Sequence, residues 1–392
     1  MFVTRLKLEN WMNFRSVDVP LGPVTYLLGP NASGKSNFLD VFRFLRDISK
    51  PGAGKSGGGG IQNAIESRHG VPKIRCLHAR RQTDVVIEVE LADDHANPRP
   101  KWSYMLGFSV GDQNNGVSIT TEVVRNLANG ETLLARPLPE DVADARLLTQ
   151  THLEQMRSNA SFREIADCFS SVMYLHLVPQ LLKYGDSIGG RQLEGDPFGQ
   201  GFLDLVARTN KRQREARLAR ISEGLAIAGT RLVDLEFAED EKKPHLRARY
   251  EHHRPQGAWQ LEDQFSDGTL RLIAMLWALQ SDDPILLLEE PELSLNSEIV
   301  SEIPALIDRA QRESTNHSQV IVSTHSRALL SNPGIDPSGV LVIEPGDDGS
   351  SIRTVREHER HGIDAGLAVS EVVLPSVTPK TVGTLSQLTL FK

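Results

Sequence analysis

Eight residues near the N-terminus, GPNASGKS from Gly29 to Ser36, have the types and spacing that hold phosphate: a glycine, four residues, then glycine, lysine and serine. Small residues let consecutive backbone N–H groups curl around an anion, and a following helix adds its N-terminal amides and dipole. The flanks supply that context. The apolar run VTYLL precedes the loop, and residues from Ser36 to Ile48 carry apolar positions at helical spacing. Lys35 is placed to reach β- and γ-phosphates and so to act in catalysis, and Ser36 to offer its hydroxyl to magnesium. Gly29, Pro30, Asn31, Ala32, Ser33, Gly34 and Asn37 complete the expected ATP cradle. Gly54-Lys55-Ser56 repeats the end of the pattern, but Pro51 and Gly52 precede it instead of a strand and four glycines follow it, so it predicts a surface loop.

Three further segments carry chemistry. PILLLEEPE from Pro284 reads as a buried strand that delivers Glu289 and Glu290 at its C-terminal end before a proline stops it. Ligand groups in parallel sheets sit at such ends. Beside a phosphate loop the pair predicts Glu289 on the magnesium side and Glu290 as the base that orients water. A solvated strand end would satisfy the same local pattern. QVIVSTHS ends its strand at His325, one strand on, which suggests a contact to the γ-phosphate or the attacking water. FSDGTLRLIAMLWAL opens a helix with Ser266 as its cap, then Asp267, then Gly268 where backbone must approach closely. An ordinary capped helix fits this third segment equally.

The elements that position these groups form an α/β pattern with an interruption. Apolar, β-branched runs at 2–9 and 15–28 lead into the phosphate loop, and the glycine-rich stretch 51–60 follows its helix. From Thr83 to Thr132, runs such as DVVIEVEL and VSITTEVVRN alternate with turn residues, as in an antiparallel meander. Residues 138–170 and 200–228 carry helical spacing, strand-like segments return at 232–238 and 245–251, and strands alternate with helices from Gln264 to about residue 345. We expect 1–136 to be the first half of the core with the meander, 137–230 a helical insertion, 231–356 the second half, and 357–392 a tail. Lys and Arg total 43 against 51 Asp and Glu, for a net charge of −8, which excludes a uniformly basic nucleic-acid binder. Any DNA contact must be local, and the helix carrying Arg208, Lys211, Arg212 and Arg214 is the candidate, although a solvated charged helix has the same pattern. Two cysteines make neither a disulfide framework nor a zinc site, and no apolar run is long enough to span a bilayer, so a cytoplasmic protein without a membrane partner is expected.

The order of these motifs resembles the ABC-type ATPases of the SMC and RecF class, and especially the ATPases grouped with the OLD-family and anti-phage defence proteins. LKLENWMNFRSVDVPLGPVTYLLGPNASGKSNFLD, SDGTLR, LLLEEPELSLN and VSTHS carry the resemblance at both ends of the chain, and the middle matches only as an insertion. It implies a P-loop ABC-type head with a mixed sheet core, an antiparallel β subdomain and a helical insertion. It also implies a head-to-head homodimer or higher oligomer in which Ser266, Asp267 and Gly268 of one subunit cap the ATP held by the other. The signature is SDGT rather than LSGGQ, and the first acid is Glu289 where many relatives have Asp. Gln180, after the strand-like VMYLHLV, is a candidate for the glutamine that reaches magnesium in that class, and a packed loop residue satisfies the same pattern. Three roles follow from the resemblance: sensing linked to a separately encoded effector, a DNA repair clamp, and, least in keeping with the signature and insertions, a transporter subunit.

Overall fold

The computed structural model describes residues 1–50, 60–79, 84–93, 98–111, 116–188, 199–251, 258–313, 318–378 and 387. Gly54-Lys55-Ser56 and almost all of the tail beyond residue 378 lie outside the described residues. The chain opens with hairpin β1 (Phe2–Trp11) and β2 (Phe14–Pro20), then β3 (Val24–Leu28). The 15–28 run expected as one segment is thus divided at Leu21-Gly22-Pro23, where proline lacks the N–H a ladder needs. A meander follows: β4 (Val85–Ala92), β5 (Trp102–Val110), β6 (Val117–Asn126) and β7 (Glu131–Arg136). The short β8 (Met173–Leu175) precedes the hairpin β9 (Leu232–Asp240) and β10 (Lys243–Tyr250) with β11 (Ala258–Leu261). Last come β12 (Ile285–Glu289), β13 (Gln319–Thr324), β14 (Val340–Glu344) and β15 (Ser351–Thr354).

Three sheets result, in the orders β2-β1-β4-β5-β6-β7, β11-β10-β9 and β15-β14-β3-β13-β12-β8. In the last, β14, β3, β13, β12 and β8 run parallel and β15 antiparallel. The stretch 137–230, expected to be helical, therefore also gives an edge strand to the central sheet, since Met173, Tyr174 and Leu175 pair with Leu286, Leu287 and Leu288.

The alternation of side chains assigns each face of this sheet to a different core. Leu27, Leu287, Ile321 and Leu341 pack with helix Lys35–Ser49 and the meander. Leu28, Leu288, Val322 and Val342 pack with the helices Asp267–Leu279, Ser297–Glu313 and Lys211–Ile227. Both faces are covered, so β12 reads as a continuous apolar run, and each of its buried leucines contributes about 1.5–3 kcal/mol. Gln319, fully buried at the start of β13, takes Val3 N–H at 3.0 Å and donates to the carbonyls of Val3 and Gly22 at 2.7 and 2.9 Å, tying β1 to the central sheet.

A buried polar network braces the meander. Arg136 is shared between Glu122 and Asp141 at 3.0 and 2.7 Å. Nearby, Glu154 accepts the N–H groups of Thr151 and Ile61, the latter in the first turn of helix Gly60–Glu66, at 2.7 and 3.1 Å. Burial outweighs those two donors and pushes the Glu154 carboxyl up to about 7. Among the described residues, no helix is long and apolar enough to cross a membrane.

Candidate functional site

The loop from Gly29 to Ser36 leaves the C-terminal end of β3 and enters helix Lys35–Ser49. Gly34 has φ +110°, which glycine adopts without the cost a Cβ would impose. A Cβ there would also lie 2.2 Å from the Asn13 amide nitrogen. Asn13, at the tip of the β1–β2 hairpin, donates to the Ser33 carbonyl at 2.7 Å and accepts from the Asn37 amide at 2.8 Å. Ser350 donates to the same Ser33 carbonyl at 2.7 Å, and the Trp11 indole donates to the Asn37 carbonyl at 2.8 Å. The loop is therefore held from outside as well as by its own sequence.

Lys35 Nζ donates to the carbonyls of Gly29 and Pro30 at 3.0 and 3.2 Å. Burial holds its pKa below the usual lysine value, and the charges of Glu290, Glu292 and Glu289 oppose that shift. The Ser33 hydroxyl is buried without a partner. An anion in the cradle would satisfy both groups, so the loop fits a phosphate.

Glu289 closes β12 and accepts hydrogen bonds from the hydroxyls of Ser36 and Tyr174, the second at 2.5 Å. Tyr174 comes from β8, the adjacent strand, and the Arg43 guanidinium lies 4.5 Å from its ring centroid. Burial, reinforced by Glu289, pushes the phenol well above its ordinary pKa, so it remains a donor. The Ser36 and Glu289 oxygens converge as the hard ligands magnesium takes. Glu290 follows with φ +44°, a left-handed conformation rare for a side chain this size, and its N–H bonds the Ser323 carbonyl at 3.0 Å. His325 leaves the end of β13 with Nδ1 3.2 Å from Glu290 and 3.8 Å from Glu292.

At the third segment Ser266 caps helix Asp267–Leu279 by accepting the Thr269 N–H at 3.1 Å. A Cβ on Gly268 would lie 2.4 Å from the Ser294 carbonyl, so glycine is required where this helix meets the turn after β12. Asp267 accepts from Gln180 at 2.5 Å and from Lys183 at 2.9 Å. The amide of Gln180, the candidate for a place beside Ser36 and Glu289, is here engaged by the Asp267 carboxylate. The expected basic helix is two, since Arg208 ends helix Phe202–Arg208 and Asn210 caps helix Lys211–Ile227, and its cations are more self-satisfied than the sequence suggested. Arg214 turns inward to the carbonyls of Ala207 and Thr209 at 2.9 and 3.3 Å and lies over Phe237, and Lys211 is 3.8 Å from Glu215. Arg208, Lys211 and Arg212 are exposed.

Sequence reasoning missed Asn13, Tyr174, Lys183, Glu292 and Ser350. Only Glu292 had a local signal, as the third acid in EEPE. A family model described as "AAA domain, putative AbiEii toxin, Type IV TA system" matches residues 24–331. The DNA replication and repair protein RecF of Roseiflexus castenholzii is 44% identical over 55 residues, which is 14% of this chain and 14% of that protein. Among solved structures, the SMC head bound to the C-winged helix domain of ScpA is similar in fold, with a TM-score of 0.54 and 12% identity over 92% of this chain and 99% of that one.

Proposed function

The chain belongs to the AAA domain family whose model spans residues 24–331 and has the fold of an SMC head, and we propose on that premise that it is an ABC-type ATPase of the SMC and RecF class in which two copies close around ATP and magnesium, hydrolyse the nucleotide and pass the change to a separately encoded effector. The observation that carries the reading is the convergence of Lys35, Ser36 and Glu289 at one end of the central sheet, with Glu290 and His325 beside them.

Gly29 to Asn37 would wrap the phosphates, and Lys35 would exchange the carbonyls of Gly29 and Pro30 for phosphate oxygens. Ser36 and Glu289 would hold magnesium, which when bound draws charge off the phosphate oxygens. Glu290 would orient water and accept its proton, and His325 would steady the water or the γ-phosphate. Ser266, Asp267 and Gly268 would approach the nucleotide of the other subunit. We assign residues 1–136 and 231–356 to the head and the helices of 137–230 to an added lobe.

The decisive experiment is the solution mass of Glu290→Gln with and without ATP and magnesium, with Lys35→Ala as the binding-deficient control. A nucleotide-dependent dimer is expected, and a monomer under both conditions overturns head closure. The RecF similarity supports a second reading, a DNA repair ATPase using the exposed Arg208, Lys211 and Arg212. Salt-dependent DNA binding by the trapped dimer, together with failure to retain a protein partner, would favour it.

A further inference from the structure

We infer that Glu292 is a positioning residue that takes the His325 imidazole from Glu290 when nucleotide binds, so that the Glu290 carboxylate is left free for water. The inference rests on the ATPase reading above and concerns a group which that reading does not use.

Glu292 is 9% exposed, and its two oxygens differ. Oε1 accepts the Thr324 hydroxyl at 2.6 Å and the His325 N–H at 3.2 Å. Thr324 Oγ1 in turn accepts the Ser326 N–H at 3.0 Å, and Ser326 caps the short helix Arg327–Leu330. One carboxylate oxygen thus fixes the backbone on which His325 pivots. Oε2 is buried with no partner. The imidazole Nδ1 stands between two carboxylates, 3.2 Å from Oε1 of Glu290 and 3.8 Å from Oε1 of Glu292, the oxygen that already holds Thr324 and the His325 N–H. While it leans on Glu290, it occupies the acid that must accept a proton from water. A small rotation about a pivot already anchored by Glu292 moves Nδ1–H to that second carboxylate. No bond is made or broken beyond the exchange of one contact for another. Glu292 also lies within electrostatic reach of Lys35, which must move when phosphate arrives, so the same event can disturb both groups.

The test compares wild type with Glu292→Gln, whose amide oxygen can still accept from Thr324 and His325. Ring ¹⁵N signals of His325, assigned with His325→Gln, are followed as a nonhydrolysable ATP analogue and magnesium are added. The wild-type signal should move and the variant's should not. Turnover should fall on the order of tenfold to hundredfold while KM for ATP stays within about twofold. Glu292→Gln/His325→Gln should turn over no more slowly than His325→Gln alone. Equal movement in the variant, or multiplicative losses in the double variant, overturns the inference. Nucleotide binding without ring movement in wild type overturns this inference alone, whereas no binding in equilibrium dialysis overturns the ATPase reading with it. If the amide variant does not fold, Glu292→Asp, which keeps the charge but withdraws it, is read in the same way.

Discussion

Tyr174→Phe removes one oxygen from the site and leaves nearly everything else in place. The ring keeps its position under the Arg43 guanidinium, and β8 keeps its pairing with β12. What is lost is one of the two hydroxyl donors that aim the Glu289 carboxylate. A hydrogen bond to a charged acceptor contributes about 1.5–3 kcal/mol when water cannot replace it. Glu289 is half-buried, so water recovers part of that, and we expect a net loss of about 1 kcal/mol. That loss corresponds to about a fivefold weaker apparent affinity for magnesium. The phosphate cradle does not touch Tyr174 through any hydrogen bond described above, so nucleotide binding in EDTA should stay within about twofold of wild type. Titration of a fluorescent ATP analogue at a series of magnesium concentrations, and again in EDTA, separates the two effects. Equal weakening with and without magnesium, or an unchanged magnesium dependence, would refute the reasoning that Tyr174 acts by orienting Glu289.

Two other perturbations follow from the packing. Gly34→Ala forces a side chain into a left-handed conformation at a cost of about 1–2 kcal/mol and drives its Cβ into Asn13, so nucleotide affinity should fall at least about tenfold with the far-UV circular dichroism unchanged. Wild-type affinity in that variant would show that the Asn13 brace is dispensable. Glu154 holds its proton up to about pH 7 in the folded chain, whereas the unfolded carboxyl releases it near 4. Its contribution is therefore fully present below about pH 4 and lost as pH rises to about 7, by up to about 3 kcal/mol. Between pH 5 and 8 the urea midpoint of wild type should fall more than that of Glu154→Gln, and parallel profiles would refute the assignment.

The parts of the fold legible in the sequence were those with a strong local period. The meander declared itself through alternation and turn residues, and β12 and β13 through apolar runs ending in polar groups. β8 lies in the strand-like run VMYLHLV, but three residues at a sheet edge are too few to show which sheet they join, and so a strand of the central sheet fell within a stretch assigned to the helical insertion. Gln180 was a candidate near the metal ligands from the resemblance and its place after VMYLHLV, and its sequence carried no sign of the partner it meets here, Asp267, 87 residues away in the chain. Arg214 counted as a surface cation in the charge pattern, which cannot register the carbonyls at the end of the preceding helix and the phenyl ring that receive it.

The sequence by itself determined the phosphate loop, the acid pair, the capped helix start and the histidine at a strand end. Each is a contiguous segment whose backbone geometry follows from its own glycines, prolines and apolar neighbours. Only the tertiary structure decided that Tyr174 and Ser36 converge on Glu289, that Asn13 and Ser350 hold Ser33, and that Glu292 grips the backbone of His325. Asn13 and Ser350 meet across 337 residues of chain. Such contacts leave no local trace because the energy that forms them comes from burying the two faces of the central sheet, which fixes where each strand end stands before any of these polar side chains finds its partner.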